Sequence, residues 1–193
     1  MTTLRRILKV NPASNLPSRA EALEILRKVG CSDGVIEHCI FVAEIAKEIA
    51  SSVSSKVNID IHLVETGALL HDIGRSVTHG VKHGSVGADI LEKLGYSGRL
   101  VSLVRNHVGA GISREEAISL GLPPIDHIPT TTEEKLVCYA DKLAAGTVRI
   151  SFEEVLEAYA RTLGPEHASL RRLRDLHREV MELTGAVSTT QTS

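Results

Sequence analysis

The stretch Leu70-His71-Asp72-Ile73-Gly74 ends an apolar helical run and places a His and an Asp side by side. An imidazole and a carboxylate in adjacent positions are a ready pair of ligands for a divalent metal ion. The doublet alone is a weak signal. It becomes a strong one because residues of the same ligand type lie among apolar residues on separate predicted helices, namely His38, His83, His107 and Asp141.

Apolar residues recur at spacings of three and four along most of the chain, which is the period of an α-helix buried on one face. Capping-box patterns, glycines and prolines indicate where each helix begins and ends. The predicted helices cover residues 18–30, 33–52, 60–71, 83–94, 98–108, 133–145, 151–163 and 165–185, with a short one after Ser113. Because no alternating strand pattern of useful length and no internal repeat is present, the sequence predicts an all-α fold.

Length and composition indicate one domain with a helix or two appended at its C-terminal end. The chain has 193 residues, of which 42% are hydrophobic and 24% are charged, so it can build a sizeable core. We expect an irregular lead-in over residues 1–17, a helical domain over residues 18–186 and a disordered tail over residues 187–193.

Charge and cysteine content exclude several classes of function. The formal net charge of -2 provides no chain-wide basic field for nucleic acid, although a small nucleotide or an RNA end remains open as a ligand. The three cysteines are widely spaced, which argues against a thiolate zinc site and a disulfide framework and favours the cytoplasm. No stretch approaches the ~18 apolar residues of a membrane span, and the N-terminus lacks the apolar core of a secretory signal.

The metal interpretation depends chiefly on the two aspartates. A hydrogen-bonded histidine is common in a protein core, whereas an unpaired carboxylate in an apolar interior is costly and rare. Basic residues are scarce on the helical faces that carry Asp72 and Asp141. Bound cations therefore explain the convergence of these residues better than a purely structural polar network does.

The order of the ligand-type residues resembles that of the HD-domain metal-dependent phosphohydrolases, an all-helical superfamily. Similar local strings extend over roughly residues 30–150: Leu70-His-Asp-Ile-Gly74, His83-Gly, Gly87-Ala-Asp-Ile-Leu91, Asn106-His107 and Tyr139-Ala-Asp-Lys142. The resemblance implies a single-domain HD-type helical bundle, with the last two helices outside the core motifs. The chain departs from the HD-GYP branch, because Arg75 stands where that branch has Lys and the Gly-Tyr-Pro signature is absent.

The resemblance also implies the six-ligand subgroup, which binds two divalent ions. The implied ligands are His38, His71, Asp72 and Asp141 for the first ion, and Asp72, His83 and His107 for the second. His79 is an alternative to His83, either as a ligand or as a general acid. Nitrogen and oxygen ligands fit Mn²⁺, Fe²⁺, Co²⁺, Ni²⁺, Zn²⁺ or Mg²⁺, and the many histidines argue against Mg²⁺ at both positions.

Two divalent ions among these ligands would leave a net positive centre, which attracts a phosphoryl group and activates water. We predict a phosphodiesterase or phosphomonoesterase acting on a nucleotide or similar small molecule, with Asp72 and Arg75 as the catalytic residues. The predicted phosphate-binding residues are Arg75, Lys82 and Lys142. The alternatives are a one-metal 5'-nucleotidase-like enzyme and a catalytically silent helical module, that is, one without enzymatic activity whose fold is stabilised by bound metal. Assembly into a homo-oligomer is compatible with any of them.

Overall fold

The computed structural model describes residues 16–53, 57–96 and 98–185. Nearly all of these residues lie in helices and in the short connections between them. The helices are α1 (Arg19–Val29), α2 (Asp33–Val53), α3 (Ile61–Leu70), α4 (His83–Leu94), α5 (Gly98–Asn106), α6 (Arg114–Ser119), α7 (Thr132–Lys142), α8 (Phe152–Leu163) and α9 (Ala168–Thr184). This confirms the predicted all-α class. The predicted lead-in, apart from Leu16 and Pro17, and the predicted tail lie outside the described residues. Among the helices of the described ranges, none has the length and hydropathy needed to cross a membrane.

Local sequence signals fix most of the helix ends. Ser18 and Glu21 form a reciprocal capping box at the start of α1, and the same device begins α6, α7 and α8. Gly30 and Gly95 end α1 and α4 with φ angles of 90° and 85°, in the left-handed region that favours glycine. Each cap satisfies backbone groups that a helix end leaves unpaired, so these boundaries could be predicted from sequence.

The long helix α2 packs against α3 and α7, and α5 contacts both α3 and α7. Helix α9 covers α7 and α8 on the outside of the bundle. The interior is aliphatic, as shown by fully buried side chains such as Val42, Leu69, Leu100 and Leu136. Burial of this apolar surface is the main stabilising contribution and holds the helices that carry the ligand-type residues.

Glycines allow α4 to approach its neighbours closely. A Cβ on Gly74, in the 3-10 turn Ile73–Ser76, would lie 2.0 Å from the carbonyl oxygen of His83. A Cβ on Gly84 would lie 2.7 Å from Cγ2 of Val108, which follows α5. The absence of side chains at these positions lets the first turn of α4 lie against the 3-10 turn and α5.

The main departure from the predicted fold is a short antiparallel hairpin that follows α7. This helix ends at Lys142, whereas the predicted helix continued to residue 145. Ala144–Ala145 (β1) pairs with Val148–Arg149 (β2), and Gly146 in the turn has a φ of 64°. Strands of two residues are too short to show an alternating pattern, so they could not be predicted from the sequence.

Candidate metal centre

Five elements of the bundle bring the six predicted ligand residues to one place. His38 lies on α2, His71 and Asp72 directly follow α3, His83 begins α4, His107 directly follows α5, and Asp141 lies in the last turn of α7. Three of these helices, α3, α5 and α7, therefore end at the centre. Because the C-terminal end of a helix carries partial negative charge, this arrangement favours positive charge at that point.

The first group of contacts surrounds Asp141. Its Oδ1 lies 3.1 Å from Nε2 of His38 and 3.4 Å from Nε2 of His71. Oδ2 of Asp72 is on the same side, 3.6 Å from Nε2 of His71 and 3.9 Å from Nε2 of His38. Two imidazoles and two carboxylates thus converge in this group.

The second group surrounds the other oxygen of Asp72. Oδ1 of Asp72 lies 3.2 Å from Nε2 of His83 and 3.5 Å from Nε2 of His107. These two Nε2 atoms are 3.0 Å apart. Asp72 therefore directs one carboxylate oxygen to each group, which is the arrangement that a bridging ligand requires.

All four histidines have the same orientation toward the backbone. Nδ1 of His38 lies 2.8 Å from the carbonyl oxygen of Gly146, and the Nδ1 atoms of the other three lie 2.7 to 2.8 Å from the carbonyl three residues earlier, those of Ala68, Gly80 and Val104. Since a carbonyl can only accept, we assign the imidazole proton to Nδ1. The four Nε2 atoms are then left with lone pairs directed inward, as in metal-binding histidines whose other nitrogen donates to the backbone.

A divalent cation fits this set of donors. Nε2 of His71 and Oδ1 of Asp72 are buried and have no hydrogen-bond partner, and burial of an unpaired polar atom is unfavourable. The potential ligand atoms of His38, His71 and Asp72 lie within 4.8 Å of one another, as do those of Asp72, His83 and His107. Lone pairs facing carboxylate oxygens at such distances repel unless positive charge lies between them.

The ionisation of the buried groups indicates the same requirement. Burial opposes the charge on Asp72, but the charge of His71 outweighs it and holds the pKa of Asp72 far below its usual range. Burial works to lower the pKa of His71, but the charge of Asp72 raises it well above the ordinary value. Burial lowers the pKa of His107 to about 4, so this imidazole is neutral near pH 7. Asp72 is therefore ionised only beside positive charge, which a cation held by these ligands would supply.

Two basic side chains contact the carboxylates from outside, although the sequence suggested that basic partners are scarce. Nε of Arg75 donates to Oδ2 of Asp72, and Nζ of Lys142 donates to Oδ2 of Asp141. Burial opposes the charge on Lys142, but Asp141 raises its pKa above the usual value. Oδ1 of each aspartate remains directed at the histidines, whereas Oδ2 of Asp72 both faces the first group and accepts from Arg75.

A cavity of about 370 Å³ opens beside the first group of contacts. It is lined by Ser32, Gly34, Val35, His38, Asp72, Arg75, His79 and Gly146. Of the three predicted phosphate-binding residues, only Arg75 lines it. Lys142 is buried against Asp141, and Lys82 is exposed, with its Nζ beside Gly121.

The two competing histidines of the sequence analysis occupy different places. His83 is buried against Asp72, whereas His79 is exposed and lines the cavity, which favours His83 as the ligand. Three further groups at the centre were not predicted from the sequence: the carbonyl of Gly146, which orients His38, and Ser32 and Val35 in the cavity wall. A backbone acceptor, a small hydroxyl and an aliphatic side chain carry no sequence signal of such roles.

Comparisons with known proteins match this fold and its motifs. The HD-domain family model matches residues 35–146. The chain is 47% identical over 164 residues to an uncharacterised protein of Methanocaldococcus jannaschii, a match that covers 84% of this chain and 96% of the relative. It is 44% identical to a tRNA (cytidine(56)-2'-O)-methyltransferase of Thermoplasma volcanium over 88% of this chain. It is 30% identical to ribonuclease Y of Pseudothermotoga lettingae over 67% of this chain.

Two of these relatives are much longer than the matched region. The chain spans 48% of the methyltransferase and 22% of ribonuclease Y. Among solved structures, the HD domain of the Listeria monocytogenes phosphodiesterase PgpH, in complex with cyclic-di-AMP, matches with a TM-score of 0.51 and 15% identity. That match covers 88% of this chain and 100% of the PgpH chain, and at this identity it shows a shared fold.

Proposed function

This chain belongs to the HD-domain family, and on that premise we propose that it is a metal-dependent phosphohydrolase that cleaves a phosphoester of a nucleotide or similar small molecule. The observation that carries the proposal is the convergence of four Nε2 atoms on two carboxylates, with one oxygen of Asp72 directed to each pair of histidines. Cations would stabilise this many buried acceptors, and cations among nitrogen and oxygen ligands are suited to phosphate chemistry.

The geometry supports two divalent transition-metal ions. The residues that would hold the first are His38, His71, Asp72 and Asp141, and those that would hold the second are Asp72, His83 and His107. Ions bound there would polarise the P–O bonds of a substrate and lower the pKa of water toward neutrality. In this proposal Asp72 is the central residue because its carboxylate serves both positions.

Arg75 is the residue best placed to bind the substrate phosphate. Its Nε holds Asp72, one of its terminal nitrogens donates to the carbonyl of His79 at 3.3 Å, and its side chain lines the cavity. A guanidinium has five N–H donors, so Arg75 can orient Asp72 and still donate to a phosphate oxygen. Lys142 would act through Asp141, whose Oδ1 it leaves directed at His38 and His71. Lys82 would contribute a charge from outside the cavity.

The cavity supports a small phosphorylated substrate or the end of a longer one. A volume of about 370 Å³ is within the range of sites that bind small molecules. The names of two relatives, a ribonuclease and a tRNA methyltransferase, make an RNA end a second substrate to test. We expect the phosphate of such a substrate to bind beside Arg75 in this cavity.

The test is a substrate panel measured beside metal content. The protein is stripped of metal, reloaded with Mn²⁺, and assayed on 5'- and 3'-mononucleotides, 2',3'-cyclic nucleotides, bis-p-nitrophenyl phosphate and short RNA with terminal phosphates. We expect turnover of at least one class with two bound ions per chain, and none for Asp72→Asn. One bound ion with turnover would support the one-metal enzyme. Full metal loading without turnover of any substrate would support the silent module.

A further inference from the structure

The carboxylate of Glu134 is buried, at 4% exposure, although it is not part of the metal centre. It lies in the first turn of α7, the helix whose last turn carries Asp141. Its Oε2 accepts hydrogen bonds from the backbone N of Thr130 at 2.7 Å, from the hydroxyl of Thr130 at 3.2 Å and from the backbone N of Thr131 at 3.4 Å. These bonds cap the start of the helix.

The other oxygen of Glu134 leaves its own helix and contacts α5. Oε1 of Glu134 accepts a hydrogen bond from the hydroxyl of Ser102 at 2.6 Å. That hydroxyl accepts in turn from Nδ2 of Asn106 at 3.2 Å. Asn106 is itself buried, at 8% exposure, and directly precedes His107. A continuous chain of hydrogen bonds therefore joins the start of α7 to the residue before a candidate ligand.

We infer that Glu134, acting through Ser102 and Asn106, is a positioning residue that sets His107 for the second metal position. This inference rests on the proposed function, because it assumes that His107 is a ligand. Metal ligands tolerate displacements of only about 0.2 Å, so an orienting contact on a neighbouring residue affects affinity directly. Loss of a group bonded directly to a ligand typically costs about 10-fold to 100-fold in metal affinity, and because this chain ends one residue before His107 we expect the lower end of that range.

Two of the other capping boxes show what Glu134 would do if it were a cap alone, whereas in the box that begins α6 the carboxylate of Glu116 also accepts hydrogen bonds from Arg172 of α9. Glu154 pairs with Ser151 at the start of α8, and Glu21 pairs with Ser18 at the start of α1. Both pairs are exposed, and within the described ranges neither carboxylate accepts a hydrogen bond from another helix. Glu134 has the same local role, but it is buried and also bound across the bundle.

Ser102→Ala removes the link between the two helices and leaves the cap of α7 intact. The matched control is Ser151→Ala, which removes a serine hydroxyl from the capping box of α8. Metal-stripped wild type and both variants are titrated with Mn²⁺ by calorimetry, and their melting temperatures are measured. For Ser102→Ala, we expect the affinity for the second ion to fall by about 10-fold or more and the affinity for the first ion to equal that of the wild type. For Ser151→Ala, we expect wild-type affinity for both ions. Ser102→Thr, which keeps a hydroxyl, should restore the second affinity.

Wild-type affinity for both ions in Ser102→Ala would overturn the positioning role, whatever happens to the melting temperature. An equal loss of metal affinity in Ser151→Ala would also overturn it, because the effect would then follow from general destabilisation. If Ser102→Ala does not fold, Asn106→Leu, which breaks the same chain one bond later, is titrated in its place with the same criteria. If the wild-type protein binds only one ion, the inference and the two-metal proposal are both overturned. If the wild type binds two ions and turns over substrate, but the variants bind metal as the wild type does, the inference alone is overturned.

Discussion

Replacement of Gly74 by alanine tests whether close approach of α4 forms the second half of the metal centre. A Cβ at this position would lie 2.0 Å from the carbonyl oxygen of His83, 2.7 Å from the backbone N of Gly87 and 2.8 Å from the carbonyl carbon of His83. All three atoms belong to the backbone of α4, so no side-chain rotation can relieve the overlap. The start of α4 must therefore move away from the 3-10 turn.

The size of this movement follows from the contact distances. Real Cβ atoms essentially never approach other heavy atoms closer than 3.0 Å, so the carbonyl of His83 must withdraw by about 1 Å. Overpacking of this kind typically destabilises a protein by about 1–3 kcal/mol. The same shift displaces His83 by several times the tolerance of about 0.2 Å for a metal ligand. We expect the second ion to bind at least about 10-fold more weakly and the first ion to be little affected.

The assay is a Mn²⁺ titration of metal-stripped protein, combined with urea unfolding. Gly98→Ala is the matched control, since a Cβ at that position in α5 would meet no atom within 4 Å. The loss of affinity for the second ion in Gly84→Ala should lie between those of Gly74→Ala and Gly98→Ala, because the closest contact of the added Cβ is the side chain of Val108, at 2.7 Å, rather than backbone. Two ions bound by Gly74→Ala with wild-type affinity would refute the reasoning that His83 is held in place by this contact.

Three further predictions concern single side chains. Asp72→Asn should lose both ions, measured as metal content per chain, because one carboxylate serves both groups; retention of either ion at full occupancy would contradict this. Arg75→Met should raise KM by about 10-fold or more and Arg75→Lys should recover part of that loss in steady-state assays, whereas unchanged KM in Arg75→Met would exclude a phosphate contact. Burial opposes the charge on Glu116, but hydrogen bonds from Arg172 lower the pKa of Glu116 below 4.5. The ion pair of Glu116 and Arg172 therefore stabilises the fold above pH 4.5, and this stabilisation is lost as pH falls through the lowered pKa. Glu116→Gln should therefore lower the free energy of unfolding at pH 7, and its difference from wild type should shrink progressively as pH falls below 4.5; a loss that does not change with pH would contradict the charge-based explanation.

Much of the fold could be predicted because its determinants are local. The capping boxes at Ser18, Ser113 and Ser151 begin helices at the predicted positions, and Gly30 and Gly95 end them. The convergence of the ligand-type residues was also visible, since polar residues placed on apolar helical faces must meet inside the bundle. These inferences need only periodicity and the chemistry of helix ends.

The remainder depends on tertiary contacts that carry no local signal. The hairpin after α7 consists of two pairs of residues on either side of a turn that contains Gly146. The carbonyl of Gly146 orients His38, which lies more than a hundred residues earlier in the chain. The pairing of Lys142 with Asp141 depends on side-chain rotamers rather than on spacing, and it removes from the cavity a residue that was predicted to bind phosphate. Sequence identifies which groups meet, whereas their hydrogen-bond partners follow from the packed structure.

The position proposed for Asp72, between two cations, can be observed directly. The most direct measurement is anomalous diffraction from crystals of the protein loaded with Mn²⁺. We expect two anomalous peaks, one beside each carboxylate oxygen of Asp72, with His38, His71 and Asp141 around the first and His83 and His107 around the second. A single peak, or a peak remote from Asp72, would contradict it.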